Sequence, residues 1–216
     1  RRVQPYSKNS LNMVALDGFR MAVMREKAEH QSERKIVIAA KIMNEIGKII
    51  SETEEDGVLE FFVGKKKAIA KLNDTKIVMR LIDGEFIKYK DILPKEHKCT
   101  VKVSKAELFD SIERASIFSR EGKNNLIKLS VADDLITITS RSEEGNVKEE
   151  VTVEKTGIDL DIGFNSKYVL DAMKAIDDEE IILEFNSSVN PCLVKPVEGD
   201  SYEYLVLPVR INSALS

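Results

Sequence analysis

Apolar and polar positions along this chain fall into short runs that recur in one order. Residues 35–38 (KIVI) are short and β-branched, which predicts a strand. Ile42, Ile46, Ile49 and Ile50 then recur at i, i+4, i+7 and i+8, the spacing of one apolar helix stripe. Glu54, Glu55, Asp56 and Gly57 supply turn chemistry. Three strand-like runs follow, over 58–63, 67–72 and 76–82. Gly64 with Lys65, and Asn73 with Asp74, sit between them as tight turns.

The order then repeats. Residues 100–103 read as a strand, and Ser104 with Glu107 forms an S-x-x-E capping box. The helix it opens carries Leu108, Ile112 and Ala115 on one face. Runs 126–132, 135–141 and 147–154 read as strands, with Asp133-Asp134 and Glu144-Gly145-Asn146 as turns. In a third copy, 160–164 is a strand and Asn165 or Ser166 caps a helix lined by Val169, Met173 and Ile176. Its closing strands are 180–185, 192–197 and 204–209. The first thirty residues hold only two strands, 11–16 and 20–26, joined at Asp17-Gly18. They read as the tail of a fourth unit.

Each unit is strand, helix, three strands, which predicts an α+β fold with helices on one face of antiparallel sheets. Two units per domain divide the chain into an incomplete domain over 1–95 and a complete one over 96–216, with Pro94 and the polar 95–98 stretch as the linker.

Composition changes this picture little. An apolar fraction of 43% supports a packed core, so a disordered chain is excluded. Charged residues are numerous but nearly balanced, and a net charge of −4 gives no sign of a nucleic-acid binder. Cys99 and Cys192 belong to no C-x-x-C pair, so no disulfide scaffold or zinc site is implied. No apolar run approaches the roughly 18–20 residues needed to cross a bilayer. A cytoplasmic location is the expectation.

Candidate catalytic chemistry is sparse. The acidic runs Asp177-Asp178-Glu179-Glu180 and Glu54-Glu55-Asp56 are consecutive turn residues whose side chains diverge, and no calcium-loop spacing occurs. His30 and His97 stand beside Lys and Glu and read as surface residues. No phosphate loop, nucleophile elbow or zinc-protease motif is present. The expectation is a protein that is not an enzyme and needs no metal or other cofactor.

Four segments carry a resemblance. Residues 14–22 (VALDGFRMA) resemble a segment that in one family reads A-T-D-G-[HY]-R-L-A. Residues 81–86 (LIDGEF), with Tyr89 and Ile92-Leu93-Pro94, resemble the close of that family's middle domain. Residues 163–171 (GFNSKYVLD) resemble the start of a helix in its last domain. Residues 204–211 (YLVLPVRI) resemble its carboxy-terminal V-M-P-M-R-L strand. In order and spacing the set is similar to the bacterial DNA polymerase III beta subunit, the sliding clamp. The match spans the carboxy-terminal two-thirds of that protein. Residues 1–6 match poorly, Ile87 replaces a usual proline, and Asp91 replaces a position that is often basic.

The resemblance implies a DNA-clamp fold and a replication processivity factor. In that family a head-to-tail homodimeric ring encircles duplex DNA non-specifically. It tethers the DNA polymerase III catalytic subunit, clamp-loader subunits and repair polymerases, with no membrane partner. On this resemblance the expectation is that residues 1–216, without a counterpart of the first domain and the opening of the second, do not make the first-to-last-domain ring contact among themselves. The alternative reading is a stand-alone peptide-binding regulatory module that does not encircle DNA.

Partners of that family insert a Leu/Phe-rich peptide into a cleft between the middle and last domains. Carried over by motif, the cleft takes Leu16, Gly18, Phe19, Arg20, Met21 and Ile92 from the middle domain. It takes Asn165, Tyr168, Val189, Pro191, Leu205, Leu207, Pro208, Val209 and Arg210 from the last. On pattern alone, Leu205, Leu207 and Val209 alternate as any half-buried strand does, and Asp17-Gly18 is an ordinary hairpin turn.

Lys41, Glu45 and Lys48 share one helix face, and Lys167, Asp171 and Lys174 repeat the spacing. In a ring, Lys41, Lys48, Lys167 and Lys174 would face phosphates, with each intervening acid loosening the grip. By spacing alone these are ordinary solvated helix surfaces.

Overall fold

The computed structural model describes residues 10–28, 34–53, 57–119, 125–143 and 145–211. Segment 1–6, His30, the turn acids Glu54, Glu55 and Asp56, and Glu144 lie outside the described residues. The chain divides into two compact units, one from Arg1–Glu29 with Leu93–Ser216 and the other from His30–Ile92.

The chain opens with a hairpin, β1 (Ser10–Leu16) and β2 (Arg20–Lys27), which belongs to the larger unit. The smaller unit follows: helix α1 (Ala40–Ser51), then β3 (Glu60–Val63), β4 (Lys67–Leu72) and β5 (Thr75–Arg80) in one antiparallel sheet of order β3-β4-β5. The helix buries Ile46, with Ile42 and Met43 beside it, against Val63, Ala68, Ala70, Ile77 and Met79. Ile50 of the expected stripe stays 44% exposed. The run 35–38 forms no strand. The segment is held instead by the Ile82 N–H, which donates to the Val37 carbonyl at 2.9 Å. β-Branched residues favour extended backbone, but a strand needs a neighbour along its length.

The remaining elements complete the larger unit. They are β6 (Cys99–Ser104), α2 (Lys105–Ser119), β7 (Leu126–Ala132), β8 (Leu135–Ser142), β9 (Gly145–Thr152), β10 (Glu154–Gly157), β11 (Leu160–Asn165), α3 (Ser166–Lys174), β12 (Glu180–Phe185), β13 (Cys192–Pro196) and β14 (Tyr202–Val206). Two antiparallel sheets result, of order β1-β2-β14-β13-β12-β6-β10 and β11-β7-β8-β9. Period-2 alternation feeds their core: β6 buries Cys99, Val101 and Val103, and β12 buries Ile181, Leu183 and Phe185. Helix α2 adds Leu108, Ile112 and Ala115, and α3 adds Val169, Leu170 and Met173. Helix α2 packs on β7, β8 and β9 and against α3. The architecture is α+β.

Both predicted caps form. Ser104 Oγ accepts from the Glu107 N–H at 3.4 Å, and Asn165 Oδ1 accepts from the Lys167 N–H at 3.0 Å. Strand bounds shift in the smaller unit, where β3 starts at Glu60 and not at 58 and β5 ends at Arg80 and not at 82, and two readings change further in the larger unit. The run 147–154 splits at Val153, because β9 stays with β8 while β10 crosses to pair with β6. Gly157 ends β10 at φ +96°, where an added Cβ would lie 1.9 Å from the Lys98 carbonyl oxygen. The last strand begins at Tyr202 and ends at Val206, earlier at both ends than its sequence pattern.

Strand β2 pairs with β14, from Tyr202↔Met24 to Val206↔Arg20. The compact units therefore cut the chain differently from the repeats, since 10–27 shares a sheet with the last strands. The division into 1–95 and 96–216 remains a proposal drawn from the repeats.

Candidate functional site

The β1–β2 turn is built by Asp17. Its Oδ1 accepts from the backbone N–H groups of Phe19 at 2.8 Å and Arg20 at 3.0 Å, an Asx turn. Its Oδ2 accepts from Arg20 Nε at 3.0 Å. Partial burial would raise the Asp17 carboxyl, but these hydrogen bonds and the guanidinium outweigh it and hold the group below its usual range. Phe19 is thereby presented outward, 57% exposed.

Helix α3 meets this turn. Phe19 stacks on Tyr168, with ring centroids 5.7 Å apart and planes at 23°. The Arg20 guanidinium lies 4.6 Å from the Tyr168 ring centroid, and Nη1 donates to Asp171 Oδ2 at 2.7 Å. That hydrogen bond is the main reason the Arg20 guanidinium is held above its usual range. One arginine thus joins the turn to the helix through two carboxylates and one ring.

The chain leaving β14 supplies the third wall. The Leu207 N–H donates to the Phe19 carbonyl at 2.9 Å, and the Val209 N–H to the Gly163 carbonyl at 2.8 Å. Gly163 is required for this approach, since an added Cβ would stand 2.6 Å from the Val209 carbonyl oxygen. Leu207 remains 37% exposed.

The structure therefore brings Gly18, Phe19, Arg20, Tyr168 and Leu207 together, with Asn165 one turn earlier at the cap of α3. Leu16 ends β1, exposed, and pairs with Met21. Met21 and Leu205 are cross-strand partners and are buried, at 4% and 3% exposure, so they support the surface from beneath. Pro208 and Val209 are half-buried and Arg210 is exposed. Val189 is 76% exposed in the β12–β13 turn, where its N–H donates to Ser187 Oγ at 3.3 Å. Pro191 is half-buried just before Cys192, which pairs with Val206. Ile92 belongs to the other compact unit. Two concavities, of about 440 and 250 Å³, lie elsewhere, lined by Lys102 and Lys155 and by Lys128 and Lys148 among others.

Sequence reasoning missed the parts played by Asp17, Asp171 and Gly163. An acid before a glycine in a hairpin turn was the available signal for Asp17. By spacing Asp171 is an acid set between Lys167 and Lys174, but its carboxylate accepts from Arg20. The four lysines singled out for phosphate contact are all exposed. Lys41 and Lys48 lie on α1, with Lys48 paired to Glu45 at 2.9 Å. Lys167 and Lys174 lie on α3, with Lys174 Nζ 5.8 Å from the Phe109 ring centroid.

Two carboxylates of the acidic run 177–180 hold structural contacts. Asp178 accepts from the Tyr202 hydroxyl at 2.8 Å, and burial with that carboxylate raises the phenol above its usual range. Glu180 pairs with Lys102 at 2.9 Å. Among the described residues no three His, Cys, Asp or Glu side chains gather as a metal site. No described helix is long and apolar enough to cross a membrane.

Comparison with known proteins gives a consistent result. Residues 4–88 match the family "DNA polymerase III beta subunit, central domain", and residues 90–210 match "DNA polymerase III beta subunit, C-terminal domain". The chain is 37% identical over 206 residues to a protein named "Beta sliding clamp" from Staphylococcus aureus, covering 94% of this chain and 54% of that one. Among solved structures, a beta subunit from Thermotoga maritima superposes with a TM-score of 0.88 at 34% identity, covering 96% of this chain and 56% of that one. A sliding clamp from Bacillus subtilis gives 0.89 at 30% identity, covering 96% and 55%. The chain spans about half the length of the curated relatives it matches.

Proposed function

Because this chain belongs to the DNA polymerase III beta subunit family, we propose that it serves as the partner-docking part of a DNA sliding clamp. Such a clamp is a processivity factor. It tethers polymerase, clamp-loader and repair proteins to duplex DNA and catalyses nothing itself.

The single observation that supports docking most is the Phe19, Tyr168 and Leu207 surface, pinned by Arg20. A Leu or Phe side chain fully buried on such a surface gains about 1.5–3 kcal/mol. Two or three such anchors from one short peptide are enough for a specific contact. Leu16, Gly18, Phe19, Tyr168, Leu207 and Pro208 would touch the peptide's apolar side chains, together with Val189 and Pro191. Met21, Leu205 and Val209 would firm the floor. Asn165, Arg20 and Arg210 would take its backbone or acidic groups. Lys41, Lys48, Lys167 and Lys174 would face duplex phosphates in a closed ring, with sequence-independent attraction.

A second reading is a peptide-binding module that acts without encircling DNA. It is favoured by one observation: every docking residue except Ile92 lies within a single compact unit.

Titration with a Gln-Leu-x-Leu-Phe peptide tests the docking assignment. Arg20→Ala and Leu207→Ala are expected to weaken binding about tenfold each, the loss of one anchor or one charge-assisted contact. Equal affinity for all three proteins would remove it. Retention on circular but not linear duplex DNA would support encirclement, and peptide binding without retention would support the second reading.

A further inference from the structure

The face of the β3-β4-β5 sheet turned away from α1 carries an ordered pattern of side chains. Phe62, Ile69 and Val78 are aligned across the three strands by the ladder register. Phe62 is 53% exposed and Val78 is 59% exposed, so the row is a ridge of apolar surface open to water. One step along the strands lies the row Glu60, Lys71, Lys76, and one step the other way lie Lys67 and Arg80. All five flanking residues are exposed. The face therefore holds four cations and one anion, on a chain whose net charge is −4. Glu60 offsets little of this, since its carboxylate stands 4.0 Å from Lys71 Nζ between two half-exposed side chains.

We propose that this face docks an acidic amphipathic helix of a protein partner. The dimensions fit. Three adjacent strands span about 10 Å between the outer two, close to two turns of a helix laid along the apolar row. Side chains two residues apart on a strand lie about 7 Å apart, so the basic rows run where the flanks of a helix about 10 Å wide would rest. Apolar residues at i, i+3 or i+4, and i+7 would sit on Phe62, Ile69 and Val78. Asp or Glu on either flank would meet Lys71 and Lys76 on one side and Lys67 and Arg80 on the other. Single-stranded nucleic acid suits the charge but not the ridge, because base stacking needs aromatic faces and two of the three side chains are aliphatic. The inference does not depend on the docking surface around Phe19.

The test uses the full chain and two labelled synthetic helices of about 14 residues, sharing one leucine stripe and differing only in Glu or Lys flanks. Fluorescence anisotropy at low salt is expected to show the Glu-flanked helix binding at least about tenfold tighter, with the difference shrinking as salt screens it. Phe62→Ser and Val78→Ser should each weaken that binding several-fold while circular dichroism stays unchanged. The pair Lys71→Glu with Arg80→Glu should invert the preference in favour of the Lys-flanked helix, a change that misfolding does not produce. Equal binding of both helices would overturn the proposal. So would displacement by the Gln-Leu-x-Leu-Phe peptide, tighter binding of oligothymidine than of the acidic helix, or self-association lost in Val78→Ser.

Discussion

The Leu207 backbone N–H donates to the Phe19 carbonyl at 2.9 Å, one bond beyond the last rung of the β2–β14 ladder at Val206↔Arg20. This bond fixes two exposed apolar side chains from distant stretches of chain beside each other. Arg20 adds a third tie by reaching Asp171 on α3.

That tie is measurable. Arg20 and Asp171 side chains are 35% and 38% exposed, so solvent screens much of their attraction. A double-mutant cycle with Arg20→Ala and Asp171→Ala is expected to give a coupling of about 0.2–1 kcal/mol. Urea unfolding of the four proteins at two salt concentrations measures it, and the value should fall at high salt. Zero coupling at low salt would mean that the pair does not hold the turn to the helix.

Gly163→Ala should damage fold and docking together. Its Cβ would stand 2.6 Å from the Val209 carbonyl oxygen and 3.0 Å from Ile211 Cγ1. Backbone must move to admit it, at a cost of about 1–3 kcal/mol. The urea midpoint and the affinity for the Leu/Phe peptide should both drop. An unchanged midpoint would show that the chain after β14 is not seated on Gly163.

Much of this was legible in the sequence, and the limits have physical causes. Helix periods placed Ile112 and Met173 on stripes that the structure buries, because each lies in a run with a single strong period. Local capping was readable at Ser104 and Asn165 for the same reason: the signal and its partner are three or fewer residues apart. The run 35–38 misled because β-branched composition reports extended backbone, not the presence of a neighbour. The β2–β14 pairing was not readable, since no local pattern names a partner so far along the chain. The apolar walls of the candidate site came from resemblance. The Asp17–Arg20–Asp171 ties that hold them exist only in the folded chain, because charged residues at a turn and on a helix face read as solvated surface.

Ser140→Ala should leave the fold intact and raise its stability slightly. Ser140 is 1% exposed, and its Oγ has no hydrogen-bond partner among the described residues. Removing an unsatisfied buried hydroxyl recovers up to about 1 kcal/mol of desolvation cost. Thermal unfolding reads the gain. A clear loss would mean that the hydroxyl has a partner, such as a bound water.

Asp17 sets an acid limit on the turn. Its folded carboxyl lies below the ordinary value of 3.8, so the unfolded chain takes up the proton first as pH falls. The stability it contributes is complete above 3.8 and is lost as pH drops through the lower folded value. Peptide affinity should therefore hold through mildly acidic solution, and Asp17→Asn should weaken the turn above 3.8 but cost little once the acid itself is protonated. A carboxyl NMR titration of Asp17 with its midpoint at or above 3.8 would contradict the assigned hydrogen bonds.

The ladder between β2 and β14 also constrains how the molecule is made. During synthesis on the ribosome, Arg20–Lys27 emerges long before Tyr202–Val206 exists. A two-stranded hairpin alone is marginal in water, and its waiting edge is a template for any passing strand. The pairing that completes this sheet therefore waits until the last stretch is translated, and the edge of β2 stays unpaired until then.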